Sequence, residues 1–220
     1  MAFKRVLEPE VMDSMEEAVA YDAMDHARVN SRFVDDLLAA GPIAGDVLDL
    51  GTGTAQIPIE LCQRTDGLGV VGIDLSESML QVGRSNIDAV GLSDRIRLEL
   101  ADAKTLPYAD HQFSCVISNS IVHHIPDPVA TLAEAVRVTA PGGLIFFRDL
   151  MRPADQDQLD QLVMLYAMGE CPEARKMFAD SLRAALTLNE MQDVVQSLGY
   201  SWELVQATSD RHWTWCARRA

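Results

Sequence analysis

The chain has 220 residues, enough for one α/β domain with a small addition. Hydrophobic residues are 48% and charged residues 23%, an ordinary globular balance, and no apolar run of about 18 residues is available to span a membrane. The net charge of −15, with no Lys/Arg stripe, opposes binding to a nucleic-acid backbone and favours a small-molecule partner.

The first ten residues, Met-Ala-Phe-Lys-Arg-Val-Leu-Glu-Pro-Glu, lack the apolar core of a secretory signal, so a cytoplasmic location is expected. The four cysteines, Cys62, Cys115, Cys171 and Cys216, form no C-x-x-C. Neither a zinc site nor a redox pair is expected of them, and no other metal site is read from the sequence. Cys62 and Cys115 sit in apolar patterns as small core residues.

Residues 8–40 carry apolar positions at mixed spacings of three and four, from Met15 to Leu38 before Gly41-Pro42. That periodicity predicts an amphipathic helical cap over residues 1–40, ahead of a domain spanning 41–220. The cap is read either as plain packing on the domain or as a lid in which Tyr21, Met24 or His26 touches a ligand. Val47, Leu48 and Leu50 predict a buried parallel strand ending at Gly51, and Ile57, Ile59 and Leu61 open a helix. Between them, Gly51-Thr52-Gly53-Thr54 is a turn at which a ligand can approach the backbone closely and meet free N–H groups. A dinucleotide fingerprint needs a third glycine where Gln56 stands, so that fingerprint is broken. Asp49, two residues before the first glycine, suits a ligand with a positive end.

Residues 68–74 predict a second strand with Asp74 at its tip, 23 residues after Gly51, where a carboxylate can accept both hydroxyls of a ribose. Leu75 follows, and Ser76 is the expected N-cap of a helix reaching about Val90, with Met79 and Leu80 facing inward. Residues 95–100 alternate as a third strand, with Asp102 and Ala103 at its end, where the carboxylate could accept a bond from an adenine amino group. Asp49, Asp74 and Asp102 would then line one edge of a parallel sheet, the edge at which open α/β folds bind ligands.

Phe113 to Ser118 predicts the fourth strand, followed by Asn119 and the pair His123-His124. Asp127-Pro128 predicts a helix start, Pro141-Gly142-Gly143 a turn, and Leu144 to Phe147 the fifth strand. Asp149 and Arg152 follow it, expected to pair with each other if they serve only packing. Residues 155–185 predict a helical insertion that closes over a substrate. Thr187 to Glu190 is a capping box opening a helix to Gly199. Trp202 to Val205 and His212 to Cys216 predict an antiparallel hairpin at the sheet edge.

This order and its motifs, Val47-Leu48-Asp49-Leu50-Gly51-Thr52-Gly53-Thr54, Gly72-Ile73-Asp74-Leu75-Ser76, Ala101-Asp102-Ala103 and Leu132 to Gly143, resemble the class I S-adenosylmethionine-dependent methyltransferases of the small-molecule kind. The resemblance covers residues 30–150. It implies a Rossmann-like α/β fold with a seven-stranded, mostly parallel sheet whose last strand is antiparallel. It also implies roles. Asp49, Gly51, Thr52 and Gly53 would hold the methionine end of the cofactor, and Asp74, Leu75 and Met79 the ribose and adenine side. Asp102 and Ala103 would hold adenine, while Ser118 and Asn119 would line the sulfonium side, and Tyr21 of the cap is a further candidate for cofactor contact. Ala55 stands where many members have a third glycine. Ser118-Asn119-Ser120-Ile121 stands in place of the Asp/Asn-Pro-Pro-Tyr/Phe element of amino-group methylases acting on nucleic acids and proteins.

The expected chemistry is in-line transfer of the sulfonium methyl to a small acceptor, leaving S-adenosylhomocysteine. His123 or His124 is the candidate general base, because imidazole titrates near neutrality. Asp149, Arg152, Tyr166, Arg211 and His212 are candidates for the substrate pocket. Two other readings share the same first half. One is a protein that binds the cofactor without methyl transfer, and the other is a nicotinamide-dependent oxidoreductase.

Overall fold

A computed structural model describes residues 3–8 and 14–220. Seven strands form one sheet: β1 (Val47–Leu50), β2 (Val70–Asp74), β3 (Ile96–Leu100), β4 (Phe113–Asn119), β5 (Thr139–Leu150), β6 (Val205–Ala207) and β7 (His212–Arg218). Their order is β3-β2-β1-β4-β5-β7-β6, with six strands parallel and one antiparallel. The doubly wound α/β fold with an antiparallel closing strand is thus as the sequence predicts. Eight helices accompany the sheet among the described residues: α1 (Met15–Asp22), α2 (Ala27–Ala39), α3 (Gln56–Arg64), α4 (Glu77–Ala89), α5 (Val129–Val138), α6 (Gln156–Ala167), α7 (Pro172–Ala184) and α8 (Leu188–Ser197).

The chain divides into two compact units. The larger comprises Val11–Asn119, Ala130–Phe147 and Cys216–Ala220. Every residue of β1 is buried, as a strand covered on both faces requires, and β1 pairs in parallel with β2 and β4. Phe33, Val34 and Leu37 of α2 join Val47, Leu61, Ile117 and Phe146 in its core, with Phe33 edge-on to Phe146 at 5.2 Å between ring centroids. Cys62 and Cys115 are buried there as free thiols.

The smaller unit comprises Met1–Glu10, Ser120–Val129 and Arg148–Trp215. Its core joins Leu150 to Leu159, Leu162, Leu182 and Ala185 of the insertion region, and Phe3 packs on them. The capping box at Thr187 forms as expected, and Asp155 caps α6 through the Gln158 amide.

Four local expectations change. The helix read over 8–40 lies partly outside the described residues, at 9–13, and the remainder is two helices. The break falls at Ala23–His26, where the Asp25 carboxylate takes the Ala27 amide at 3.1 Å in place of a helical carbonyl. The insertion is likewise two helices, because Pro172 occupies the first turn of α7 and disfavours helix in the residue before it. Pro141-Gly142-Gly143 is not a free turn but the start of β5, since the Gly142 N–H donates to Arg219 C=O at 2.8 Å and the Arg219 N–H to Gly143 C=O at 2.9 Å. Trp202 to Leu204 is a single 3₁₀ turn, so the hairpin begins only at Val205.

Candidate functional site

In the larger unit, the turn after β1 lines a small pocket that is open to solvent. Asp49, Gly51, Thr52, Thr54, Tyr21, Asn30, Gln56, Ile57 and Asn119 line it. Gly51 and Gly53 adopt φ of 69° and 54°, a left-handed region that glycine enters without steric cost. A Cβ on Gly53 would lie 3.8 Å from the Tyr21 ring. Ala55 shares this conformation at φ 64°, which accounts for glycine being usual at that place in the family it resembles.

Asp49 is 2% exposed, and no cationic group pairs with it among the described residues. Burial pushes its carboxyl up to about 7, the Thr52 hydroxyl opposing and the Asp74 charge adding. The Thr54 hydroxyl is also buried without a hydrogen-bond partner. A buried acid, an unmet hydroxyl and a glycine-lined backbone together fit the positively charged, hydrogen-bonding methionine end of S-adenosylmethionine.

Asp74 serves the turn itself. Its Oδ2 accepts from the Gly53 N–H and its Oδ1 from the Ser76 N–H, both at 2.9 Å. Burial raises its pKa, against these backbone donors. Ser76 caps α4 through the Met79 amide, and Met79 is buried while Leu75 is exposed.

Of the other residues assigned to the cofactor, Asp102 caps its own loop through the Lys104 N–H at 2.8 Å, and Ala103 is buried behind it. The Ser118 hydroxyl is spent on Leu50 C=O at 2.8 Å, which ties β4 to β1, whereas Asn119 lines the cavity.

Sequence reasoning missed a clasp of amides. The Asn30 side chain donates to Gln56 Oε1 at 2.9 Å, and Gln56 Nε2 donates to Asp22 Oδ1 at 3.0 Å. Asn86 Nδ2 reaches the same Asp22 oxygen at 2.9 Å and Thr54 C=O at 3.1 Å. Gln56 was visible only as the residue that breaks the dinucleotide fingerprint, and nothing local joins it to residues 26 and 34 places upstream. Burial pushes the neighbouring Tyr21 hydroxyl up to about 12, with Asp74 and Asp22 adding. Tyr21 stacks on His26 at 4.9 Å, so that histidine is a packing group, and burial holds it below its ordinary pKa.

In the smaller unit, Val122–His124 forms a 3₁₀ turn. His123 is buried, with Nδ1 2.5 Å from Asp149 Oδ1. The Asp149 carboxylate also accepts the Val122 N–H at 2.5 Å, the His123 N–H at 3.2 Å and the Leu150 N–H at 2.6 Å. Burial alone would push His123 down, but Asp149 and Glu8 outweigh it and hold the imidazole above its ordinary pKa. Asp149 is held below the carboxylate range by the same pairing, despite its burial.

The expected pairing of Asp149 with Arg152 is not made. Arg152 donates instead to Glu190 at 2.6 Å and to Ala185 C=O at 2.9 Å, because β5 ends before Arg152 and turns it toward α8. Tyr166 donates to Asp210 at 2.7 Å and carries the Arg211 guanidinium 3.4 Å above its ring. His212 bonds Ser209 at 2.9 Å, and burial beside Arg211 pushes its pKa down to about 4. The substrate candidates therefore fall into separate local pairs.

The fold and this pocket define a protein built to hold an adenosyl cofactor with a cationic tail. The methyltransferase domain family matches residues 48–147. The methyltransferase GfsG of Streptomyces halstedii is 31% identical over 67% of this chain. The ubiquinone/menaquinone biosynthesis C-methyltransferase UbiE of Haemophilus ducreyi is 28% identical over 83% of it. The alignments span 55% and 76% of those two relatives. A solved structure, an S-adenosylmethionine-dependent methyltransferase from Aquifex aeolicus, superposes with a TM-score of 0.67 at 17% identity, covering 94% of this chain and 99% of that one. Residues 48–147 thus match the methyltransferase domain, and the fold is that of the class I S-adenosylmethionine-dependent methyltransferases.

Proposed function

We propose that the protein transfers the methyl group of S-adenosylmethionine to a small-molecule acceptor, in the cytoplasm. The observation that carries this reading is Asp49, a buried carboxyl lining the pocket with no positive partner among the described residues. When bound, the cofactor supplies a methyl group already activated on a cationic sulfur.

The protein's own residues then bind, align and exclude water. Asp49 holds the cofactor's ammonium group. Gly51 and Gly53 admit its tail against the backbone, and Asp74 accepts the ribose hydroxyls. Asp102 and Ala103 take the adenine, and Tyr21 with Asn119 closes the sulfonium side. Alignment of this kind lowers a barrier by about 7–11 kcal/mol in favourable cases. Where the acceptor must lose a proton, His123 takes it at Nε2. Asp149 fixes the tautomer by accepting from Nδ1 and stabilises the imidazolium formed. His124, stacked on His123 at 4.1 Å, is the second candidate for that role.

The relative named as a ubiquinone/menaquinone biosynthesis C-methyltransferase favours carbon as the acceptor atom. The neighbourhood of Arg211 and His212 and the helices α6 and α7 are assigned to acceptor choice. Calorimetric titration with S-adenosylmethionine and S-adenosylhomocysteine, beside Asp74→Ala, tests the cofactor assignment. Micromolar binding that the substitution abolishes supports it, and no binding of either ligand to folded protein overturns it.

A further inference from the structure

The structure gathers three metal-ligating groups that no sequence pattern joins. His123 and His124 lie on the 3₁₀ turn after β4, and Glu8 comes from the N-terminal segment more than 110 residues away. One oxygen, Glu8 Oε1, lies 3.4 Å from His123 Nε2 and 3.3 Å from His124 Nδ1. One ligand atom from each of the three residues falls within 4.8 Å of the others. A tetrahedral zinc ion with bonds of 2.0–2.1 Å sets its ligands roughly 3.3–3.4 Å apart, which matches the two separations from Glu8.

The groups behind these ligands are arranged as a metal site needs. Asp149 accepts from His123 Nδ1, which directs the Nε2 lone pair toward Glu8, the carboxylate–histidine arrangement that fixes tautomer and ring orientation at metal centres. The Ser181 hydroxyl donates to Glu8 Oε1 at 3.1 Å. The segment bearing Glu8 is tied down by Arg5, which donates to Ala184 C=O at 2.6 Å and to Ile125 and Pro126 C=O at 2.9 Å each. The Val6 N–H adds a bond to Arg183 C=O at 3.1 Å. Glu8 and His124 keep 14% and 21% of their side chains exposed, while His123 keeps 5%, so the site is reachable from one side and closed on the other. The Arg5 charge opposes a cation there, and the Glu8 and Asp149 carboxylates oppose it in turn.

We propose that Glu8, His123 and His124 form a binding site for a divalent first-row transition cation, zinc in the first instance, with one position left open. Two imidazoles and a carboxylate favour such a metal over magnesium or calcium, which prefer all-oxygen ligands. A cation on His123 Nε2 and a proton on the same nitrogen exclude each other. Metal binding is therefore read without any acceptor present, and the proposal stands or falls independently of methyl transfer.

The test uses the full chain stripped with EDTA and titrated with Zn²⁺ by calorimetry and with Co²⁺ by visible absorption. One equivalent of Zn²⁺ with a Kd of micromolar or tighter is expected, unaffected by millimolar Mg²⁺, with Co²⁺ d–d bands free of thiolate charge transfer. Glu8→Gln and His124→Ala should each weaken binding at least tenfold while S-adenosylmethionine affinity is kept, which also reports a folded protein. Should one variant fail to fold, the other carries the comparison. The proposal is overturned by no stoichiometric binding, by unchanged binding in the folded variants, or by a thiolate-dominated cobalt spectrum that places the ion on a cysteine.

Discussion

The Gly53 N–H donates to the Asp74 carboxylate at 2.9 Å, so the residue proposed to bind the ribose also holds the glycine turn that admits the rest of the cofactor. Asp74→Ala therefore removes two functions at once. Each lost charge-assisted bond weakens binding by about 1.5–3 kcal/mol, so S-adenosylmethionine affinity should fall by roughly 100-fold or more. Asp74→Asn keeps one acceptor and should lose less. Calorimetric titration of the two variants side by side measures the difference.

Asp49 makes cofactor binding pH-dependent. Its carboxyl titrates at about 7 in the unliganded protein, whereas a bound ammonium requires it ionised. Below that pH, binding must release a proton. Affinity should rise by about tenfold per pH unit up to neutrality and level off above it. Titration in buffers of different ionisation enthalpy counts the proton, and an affinity flat from pH 5 to 8 would remove Asp49 from the ammonium site.

The same residue costs the unliganded protein stability. A folded-state pKa above the unfolded value means that the folded chain holds the extra proton between the two values. Stability from this group is thus present at low pH and declines as pH rises toward about 7. Asp49→Asn removes the penalty, so the unliganded variant should melt higher than wild type at pH 8 while binding the cofactor at least tenfold more weakly. Thermal melts with and without ligand show both.

Asp149→Asn leaves the Val122, His123 and Leu150 amides facing a neutral group and breaks a buried pair with His123. Losses of this type run to about 3 kcal/mol, which lowers the Tm of a protein of this size by roughly 6–12 °C. If His123 handles the acceptor's proton, kcat should fall about 100-fold or more, with cofactor Kd within threefold of wild type. Differential scanning calorimetry and steady-state kinetics separate the two effects.

Gln56→Ala cuts the clasp between Asn30 and Asp22 without touching the core. Each side-chain bond contributes about 0.5–1.5 kcal/mol. Cofactor affinity should drop roughly five- to tenfold through a looser Tyr21, and faster hydrogen exchange over residues 14–30 should accompany it. Unchanged exchange there would show that the clasp does not hold the cap helices.

Much of the frame was legible because it rests on short-range patterns. Val47 to Leu50 is a buried run before two glycines, Ser76 and Thr187 are caps read from one residue and its third neighbour, and Asp49 and Asp74 end strands. The breaks inside the cap and the insertion are not legible, because periodicity alone does not register Asp25 taking the Ala27 amide or Pro172 opening a new first turn. Pro141-Gly142-Gly143 reads locally as a turn and becomes strand only because the backbone of Arg219, 77 positions away from Gly142, supplies its hydrogen bonds. Arg152 shows the same limit, since its partner Glu190 lies 38 residues on.

By itself the sequence determined the α/β order, the glycine turn, the family resemblance and the acidic strand ends, because each depends on residues within a turn or two of one another. Only the tertiary structure decided which groups act together. It buried Asp49 with no positive partner among the described residues, joined Gln56 to Asn30 and Asp22, set Asp149 on His123, and brought Glu8 to the two histidines. Burial and long-range contact set a group's pKa and its partners, and neither is encoded in local spacing.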